Sequence, residues 1–150
     1  MKYRFMNSND IDIIRDMEVK MRITDPGVFK EFNDSDFTLN FQSRNIEDLE
    51  NYDTILGFKD GELIARIDLM FEQSFMDFKK VGYVDWVYVM KPYRRQGVAE
   101  QLFKEAEKYF RNLDCVLYYL FVAENIEAQG FYKKIDIDIN TIERASKLIK

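Results

Sequence analysis

The chain of 150 residues is predicted to fold as a single α/β domain, residues 1–150, on two observations. Asp60-Gly61 separates two apolar segments, as in a β-hairpin with a tight turn. Two near-continuous apolar runs, 81–89 and 115–122, are separated by an amphipathic helix, which is the pattern of a βαβ crossover. The sheet is therefore expected to combine antiparallel hairpins at one end with crossovers at the other, unlike a doubly wound fold.

The first third of the domain begins with one strand and two helical segments. Residues 2–6 alternate apolar and polar side chains, which is typical of a short strand. Residues 8–10 offer polar caps for a helix that Asp-Pro-Gly at 25–27 ends. The apolar side of this helix has spacings of three or four residues: Ile11, Ile14, Met17 and Met21. Residues 29–49 are weakly helical, with phenylalanines among acids and asparagines.

The middle of the chain has the period of strands. Segments 55–58 and 63–71 form the predicted hairpin around Asp60-Gly61. The run 81–89 is mostly apolar on both faces, so we predict a central strand that is covered on both sides.

The last third alternates helices and strands. After Pro92 the sequence predicts a helix whose apolar stripe consists of Ala99, Leu102, Phe103, Ala106 and Phe110. The run 115–122 is predicted as a second buried strand, and Asn125 as the N-cap of a helix that reaches Ile135. Residues 136–149 alternate like a strand, so a final strand is possible.

Composition narrows the classes of function. The chain has no histidine, which excludes a Ser-His-Asp or Cys-His nucleophile system and any zinc site with histidine ligands. Its one cysteine, Cys115, cannot form an internal disulfide or a metal cluster. Without a histidine to activate it, we interpret Cys115 as an inert buried thiol. We expect no metal, and the acid and base of a reaction must be carboxylate, Tyr, Lys or Cys.

Charge and hydropathy indicate the kind of partner. The formal net charge is −5, which argues against a nucleic-acid partner and favours a cationic small molecule. The first residues have no apolar signal core, and no apolar run is long enough to span a bilayer. We therefore expect a cytoplasmic protein without a membrane partner.

The loop of residues 94–99, Arg-Arg-Gln-Gly-Val-Ala, has the chemistry of an anion site. It lies between a predicted strand and a predicted helix, where free N–H groups and the positive end of the helix dipole favour a phosphate. Gly97 allows the backbone to approach a ligand closely, and the two arginines add charged donors. A solvated basic turn before an ordinary helix is the alternative interpretation of these six residues.

Two groups of residues match motifs of one family. In the loop they are Arg94, Gly97 and Ala99, and in the downstream helix they are Asn125, Ala128, Phe131 and Tyr132. With these motifs, residues 81–135 resemble the GCN5-related N-acetyltransferase (GNAT) family. The resemblance implies a mixed, mostly antiparallel sheet that is splayed at two central parallel strands, with helices on both faces. After residue 134 many members continue with an apolar residue and Gly-Phe, where this chain has Ile-Asp-Ile.

The resemblance also implies a place for acetyl-CoA between the splayed strands. The pyrophosphate is expected on the loop, which consists of Arg94, Arg95, Gln96, Gly97, Val98 and Ala99. The pantetheine arm is expected to pair with the backbone of Val87, Tyr88 and Val89. Asn125 is expected near the pantetheine or the thioester.

Two side chains are candidates for proton transfer. Tyr132 matches the family position that often protonates the leaving thiolate, and a core tyrosine is the alternative. Asp85 lies alone in an apolar strand, where many relatives carry a Glu that deprotonates the substrate ammonium. An acid that only bonds a neighbouring loop is the alternative for Asp85.

We expect an N-acetyltransferase that moves the acetyl group of acetyl-CoA to a primary amine by direct attack in a ternary complex. A small cationic amine is the expected acceptor. The alternatives are a non-catalytic acyl-CoA-binding module and a transferase that modifies a protein lysine or N-terminus. A homodimer is possible by analogy with the family alone.

Overall fold

A computed structural model describes residues 1–27, 29–43, 50–123, 125–141 and 145–148. The strands are β1 (Lys2–Phe5), β2 (Tyr52–Lys59), β3 (Glu62–Gln73), β4 (Lys80–Val89) and β5 (Cys115–Leu120). The helices are α1 (Ile11–Thr24), α2 (Asp34–Ser43), α3 (Val98–Asn112) and α4 (Ile126–Tyr132). Short 3-10 turns at Ser8–Asp10 and Lys91–Tyr93 precede α1 and α3.

The strands form one mixed sheet in the order β1-β2-β3-β4-β5. All neighbours are antiparallel except β4 and β5, which are parallel. Helix α1 covers one face, where Arg66 of β3 pairs with Glu18. Helix α3 covers the other face, where the ring of Phe110 lies against Gly82 of β4. The predicted α/β fold with helices on both faces is confirmed.

Local sequence signals explain two of these elements. In the β2–β3 turn, Asp60 has a φ of 51° and Gly61 a φ of 86°, so both central residues take the positive values of the predicted tight turn. In α3 the apolar stripe faces the sheet, and the buried residues are Val98, Leu102, Phe103, Ala106 and Phe110. At Gly82 a Cβ would lie 2.6 Å from the Phe110 ring, so this close packing of α3 on β4 requires glycine.

A β-bulge interrupts β4 at Asp85. Asp68 pairs with Trp86 and Leu69 pairs with Val84, which leaves Asp85 as the extra residue. Because side chains alternate along a strand, one extra residue reverses the faces of the residues after it. The bulge thereby places Trp86 on the α1 side of the sheet, whereas strict alternation would place it on the α3 side.

Several sequence predictions are wrong in detail. The run 115–122 is not a buried strand: β5 is an edge of the described sheet, and Leu117 is 54% exposed. The described residues 136–141 and 145–148 contain no strand, and α4 ends at Tyr132 instead of 135. β4 lies between β3 and β5 as predicted, but Asp85 on its bulge is exposed. An apolar run predicts a strand but does not identify its neighbours, which decide burial.

The start of α1 also differs from the prediction. The side chain that caps is Asn7, which accepts a hydrogen bond from the backbone N–H of Asn9. The Asp10 side chain, one of the predicted caps, accepts from the backbone N–H of Asn7 at 2.9 Å and so completes a capping box. It also forms a two-pronged ion pair with Arg4 of β1, with both N–O distances at 2.6 Å. The predicted second helical region is confirmed as α2 over Asp34–Ser43, whereas the residues 44–49 of that prediction lie outside the described residues.

Tyr3 of β1 gives a test of the packing between β1 and α3. Its hydroxyl is buried and has no hydrogen-bond partner within the described residues. Because an unpaired buried polar group costs free energy, Tyr3→Phe is expected to raise the free energy of unfolding by about 1 kcal/mol. Urea unfolding of both proteins measures the difference. A loss of stability would show that the hydroxyl has a partner after all.

Candidate active site

The sheet opens at the carboxyl end of β4. The pairing of β4 with β5 ends at Val84 and Leu120, although β4 continues to Val89. On the β5 side, residues 85–89 therefore have no strand partner within the described part of the chain, whereas β3 pairs with their other side. This strand edge offers main-chain donors and acceptors to an extended ligand.

The loop after β4 presents unpaired N–H groups. The backbone N–H groups of residues 95–100 donate no hydrogen bond to any described residue. Arg95 has a φ of 60° and Gly97 a φ of 78°, and Gly97 is the N-cap of α3. Buried Val98 anchors the first turn of that helix. Six adjacent amide donors at the positive end of a helix dipole form a site for an anion such as a phosphate.

The side chains of this loop differ in availability. Arg95 is 87% exposed, and its nearest acid is Glu127 at 3.8 Å. Gln96 turns back and donates to the Pro92 carbonyl at 2.9 Å. Ala99 is partly buried. Arg95 is therefore the side chain of the predicted phosphate loop that is free to meet a ligand from solvent.

Each of the three guanidinium nitrogens of Arg94 donates a hydrogen bond within the protein. Its Nε donates to the carbonyl of Val89 at 3.0 Å, at the end of β4. One terminal nitrogen donates to Asp25 at 2.5 Å and the other to Glu127 of α4 at 3.0 Å. Because its nitrogens already have protein partners, this side chain acts in the structure as a bridge between three elements.

Asp25 is one of the residues that contact Arg94, although the sequence pattern identified it only as part of the turn that ends α1. Its carboxylate is 9% exposed and accepts hydrogen bonds from Arg94 and from the Tyr88 hydroxyl, the latter at 2.6 Å. Burial by itself would raise the pKa of Asp25, but these hydrogen bonds and the charges of Arg94 and Lys91 lower it below its ordinary value. Burial and the neighbouring Asp25 raise the pKa of Tyr88. Asp25 is therefore held ionised and Tyr88 neutral.

Helix α4 carries two of the predicted site residues. Asn125 is the N-cap, and its side-chain oxygen accepts from the N–H of Ala128 at 2.8 Å, as predicted. Tyr132, in the last turn, is 5% exposed but lies outside the main hydrophobic core. The adjacent Phe131 packs against that core instead, with its ring 5.2 Å from Phe103. Tyr132 is therefore buried, and it is not part of the cluster against which Phe131 packs.

The α1 face of β4 carries an aromatic group. The rings of Trp86 and Tyr88 stack at 5.8 Å, and the ring of Phe29 meets both edge-on. Phe29 follows α1 and its closing turn, so its ring contacts hold the start of the α1–α2 connection against β4. Asp85 is exposed on the bulge beside these rings. The bulge therefore accounts both for the exposed carboxylate and for the side on which the aromatic rings lie.

Other candidate groups have ordinary roles. Burial raises the pKa of the Cys115 thiol, which disfavours the thiolate that a nucleophile requires. Among the described residues, no group of three or more Cys, Asp or Glu side chains is placed to hold a metal ion. None of the helices in that part of the chain is long and apolar enough to cross a membrane.

The fold and the site define an α/β protein with an open strand edge beside a helix N-terminus whose first backbone amides are free. The chain belongs to the acetyltransferase (GNAT) family, whose model matches residues 17–136. The predicted family is thus confirmed. A search of curated protein sequences finds no match.

Solved structures share the whole fold at low sequence identity. An aminoglycoside acetyltransferase, meta-AAC0020 from an uncultured soil metagenomic sample, in complex with sisomicin, has a TM-score of 0.79 at 10% identity, covering 99% of this chain and 96% of that one. AAC(6')-Iy, in complex with the bisubstrate analogue CoA-S-monomethyl-acetylneamine, has a TM-score of 0.75 at 18% identity, covering 98% of each chain. A ribosomal-protein-alanine N-acetyltransferase from Brucella melitensis biovar Abortus 2308 has a TM-score of 0.74 at 11% identity, covering 99% and 100%.

Proposed function

We infer that the protein is an N-acetyltransferase that uses acetyl-CoA and acetylates a primary amine by direct attack in a ternary complex. The observation that carries this proposal is the continuity of the open edge at 85–89 with the free amides of residues 95–100. A strand edge suits the amide-containing pantetheine arm, and the helix N-terminus suits the pyrophosphate. The two sites follow one another along the chain, as the two parts of the coenzyme do.

The chemistry requires an aligned amine, a donor for the oxyanion and a proton for the thiolate. The amine nitrogen attacks the thioester carbonyl carbon, and the carbon–sulfur bond breaks as the tetrahedral intermediate collapses. We propose that the Tyr132 hydroxyl donates a proton to the departing thiolate, and that the attacking nitrogen then loses its extra proton to the tyrosinate, directly or through water, as the amide forms. A backbone N–H near Val89 donates to the oxyanion. The exposed carboxylate of Asp85 takes the ammonium proton, directly or through water, and Asn125 lies at the pantetheine end.

A small cationic amine is the proposed acceptor. The net charge of −5 favours the approach of a cation, and aminoglycoside acetyltransferases are among the structures that share the fold. The shared fold with a ribosomal-protein-alanine N-acetyltransferase keeps a protein N-terminus as the second candidate. Release of coenzyme thiol from acetyl-CoA, measured against aminoglycosides, polyamines and N-terminal peptides, distinguishes the two. Acetyl-CoA binding without release from any acceptor would favour a non-catalytic binding module.

Arg95 supplies a test of the phosphate assignment. Arg95→Ala removes an exposed cation beside the free amides, so the Kd for acetyl-CoA is expected to rise about threefold to tenfold at low salt. The effect should shrink at high salt, because an exposed charge is screened. Titration calorimetry at two ionic strengths measures both.

Arg111→Ala is the matched control for this variant, since Arg111 is an exposed arginine at the opposite end of the same helix. It should leave the Kd unchanged. Equal affinities of wild type and Arg95→Ala at low salt would contradict the placement of the phosphates.

A further inference from the structure

The network around Arg94 connects elements that are far apart in the chain. Asp25 at the end of α1 contacts Tyr88 and Arg94, which are 63 and 69 residues away. Arg94 also reaches Glu127, 33 residues further on. The Arg94 guanidinium lies over the Tyr88 ring at 5.2 Å, so the Asp25, Tyr88 and Arg94 side chains contact one another in pairs. Two acids that do not touch each other are thus joined through one guanidinium.

Asp25 fixes the direction in which Arg94 points. A guanidinium group is planar, and its donors leave in fixed directions. With Nε on the Val89 carbonyl and one terminal nitrogen on Asp25, the other terminal nitrogen is aimed at Glu127. Asp25 has the low exposure that a fixed anchor needs, whereas the side chain of Glu127 is 54% exposed. The buried Asp25 therefore fixes the orientation of the Arg94 guanidinium group, and the exposed Glu127 side chain adapts to it.

Helix α4 depends on such contacts for its orientation. It has seven residues, and a helix of this length is not stable without tertiary contacts. Its last turn is held by Phe131 against Phe103, and its first turn by Glu127 on Arg94. Loss of the contact at the first turn leaves α4 free to tilt about Phe131. Tyr132, which follows Phe131 directly, would move with that tilt.

We propose that Asp25 is a positioning residue for the acetyl transfer: through Arg94 and Glu127 it holds α4 against the end of β4 and thereby sets the place of Tyr132. The catalytic part of this inference rests on the proposed function. It assigns to Arg94 the task of a bridge, and leaves the phosphates to the loop amides and Arg95.

The first test is Asp25→Asn, which keeps the shape of the side chain and removes its charge. We expect kcat to fall about tenfold, because small displacements of a reacting group are costly, while the Kd for acetyl-CoA stays within about twofold. Hydrogen exchange of the amides of residues 126–132 should become faster, although Asp25 does not touch α4. Asp12→Asn is the control, because it makes the same substitution on α1 at an acid whose side chain is 80% exposed. It should change neither kcat nor the hydrogen exchange of residues 126–132.

Two more variants separate a bridge from a general loss of stability. Glu127→Gln removes the charge that pairs with Arg94 on the α4 side. This variant tests the inference if Asp25→Asn does not fold. It should also lower kcat and speed exchange in α4, with an acetyl-CoA Kd that is unchanged or tighter. Arg94→Lys keeps the charge but loses the fixed fork, so it should behave like Asp25→Asn. In the Arg94→Lys background, Asp25→Asn should add little, because the two changes act on one bridge.

Each outcome decides the inference. A normal kcat in Asp25→Asn, or α4 exchange equal to that of the wild type, overturns it. A raised acetyl-CoA Kd with normal kcat overturns it in favour of a role in coenzyme binding. If the wild-type protein itself neither binds acetyl-CoA nor releases its thiol, the proposed function fails instead. The exchange of α4 in Asp25→Asn then still decides whether the bridge exists.

Discussion

Tyr132→Phe is expected to lower kcat by about 100-fold, because a positioned general acid contributes a factor of this order. The variant removes only the hydroxyl, and the enclosed ring remains to pack beside Phe131. The Kd for acetyl-CoA should therefore stay close to the wild-type value. Release of coenzyme thiol under saturating amine measures kcat, and calorimetry measures the Kd.

Tyr3→Phe is the matched control for this prediction. It removes the same group from a tyrosine on β1, which lies at the opposite edge of the described sheet from β5, and its turnover should equal that of the wild type. Wild-type turnover in Tyr132→Phe would remove Tyr132 from the mechanism. A parallel loss of acetyl-CoA binding would assign it to coenzyme contact instead of proton transfer.

Gly97→Ala is expected to raise the Kd for acetyl-CoA at least tenfold, which is the second large effect. Gly97 has a φ of 78° at the start of α3, and a Cβ placed there has no protein atom within 4 Å. The space that the methyl group enters is therefore open, beside the amides to which we assign the pyrophosphate. Backbone strain adds a loss of stability of roughly 1–2 kcal/mol. Calorimetry and urea unfolding measure the two effects.

Gly61→Ala separates strain from blocked binding. Gly61 has a φ of 86° and equally open surroundings, but it lies in the β2–β3 turn. The two variants should lose similar stability, and only Gly97→Ala should lose affinity. Equal affinities in the two variants would argue against a phosphate at the start of α3.

Features that depend on neighbours in sequence were predicted well. The Asp60-Gly61 turn, the apolar stripe of α3 and the cap at Asn125 are each set by local backbone chemistry. The glycine N-cap of α3 belongs to the same group, because it results from the chain's own turn into a helix, whereas the phosphate assigned to this loop stays a prediction. The family motifs lie on these local features, which is why the family could be recognised.

Features that depend on partners elsewhere were missed or wrong. The β5 run has an apolar composition that predicts burial, yet no described strand lies beyond it, so Leu117 is exposed. The bulge at Asp85 comes from the register with β3, which the sequence of β4 alone does not reveal. The partners of Arg94 in the structure come from the end of α1, from β4 and from α4, and the sequence of the loop does not reveal them.

The sequence by itself determined the family, the order of the elements up to α4 and the glycine at the start of α3, because turns, caps and amphipathic periods are encoded within a few residues. Only the tertiary structure decided that Asp25 and Glu127 bind the same guanidinium group, that of Arg94. Only the tertiary structure also decided that the pairing of β4 with β5 ends before Asp85, and that the aromatic residues of β4 after the bulge lie on the α1 side. The shared guanidinium results from contacts between segments 33 to 69 residues apart, and the side of the aromatic residues results from the register of β4 with β3. The folded sheet brings these segments together, and no local pattern in the sequence records which of them meet.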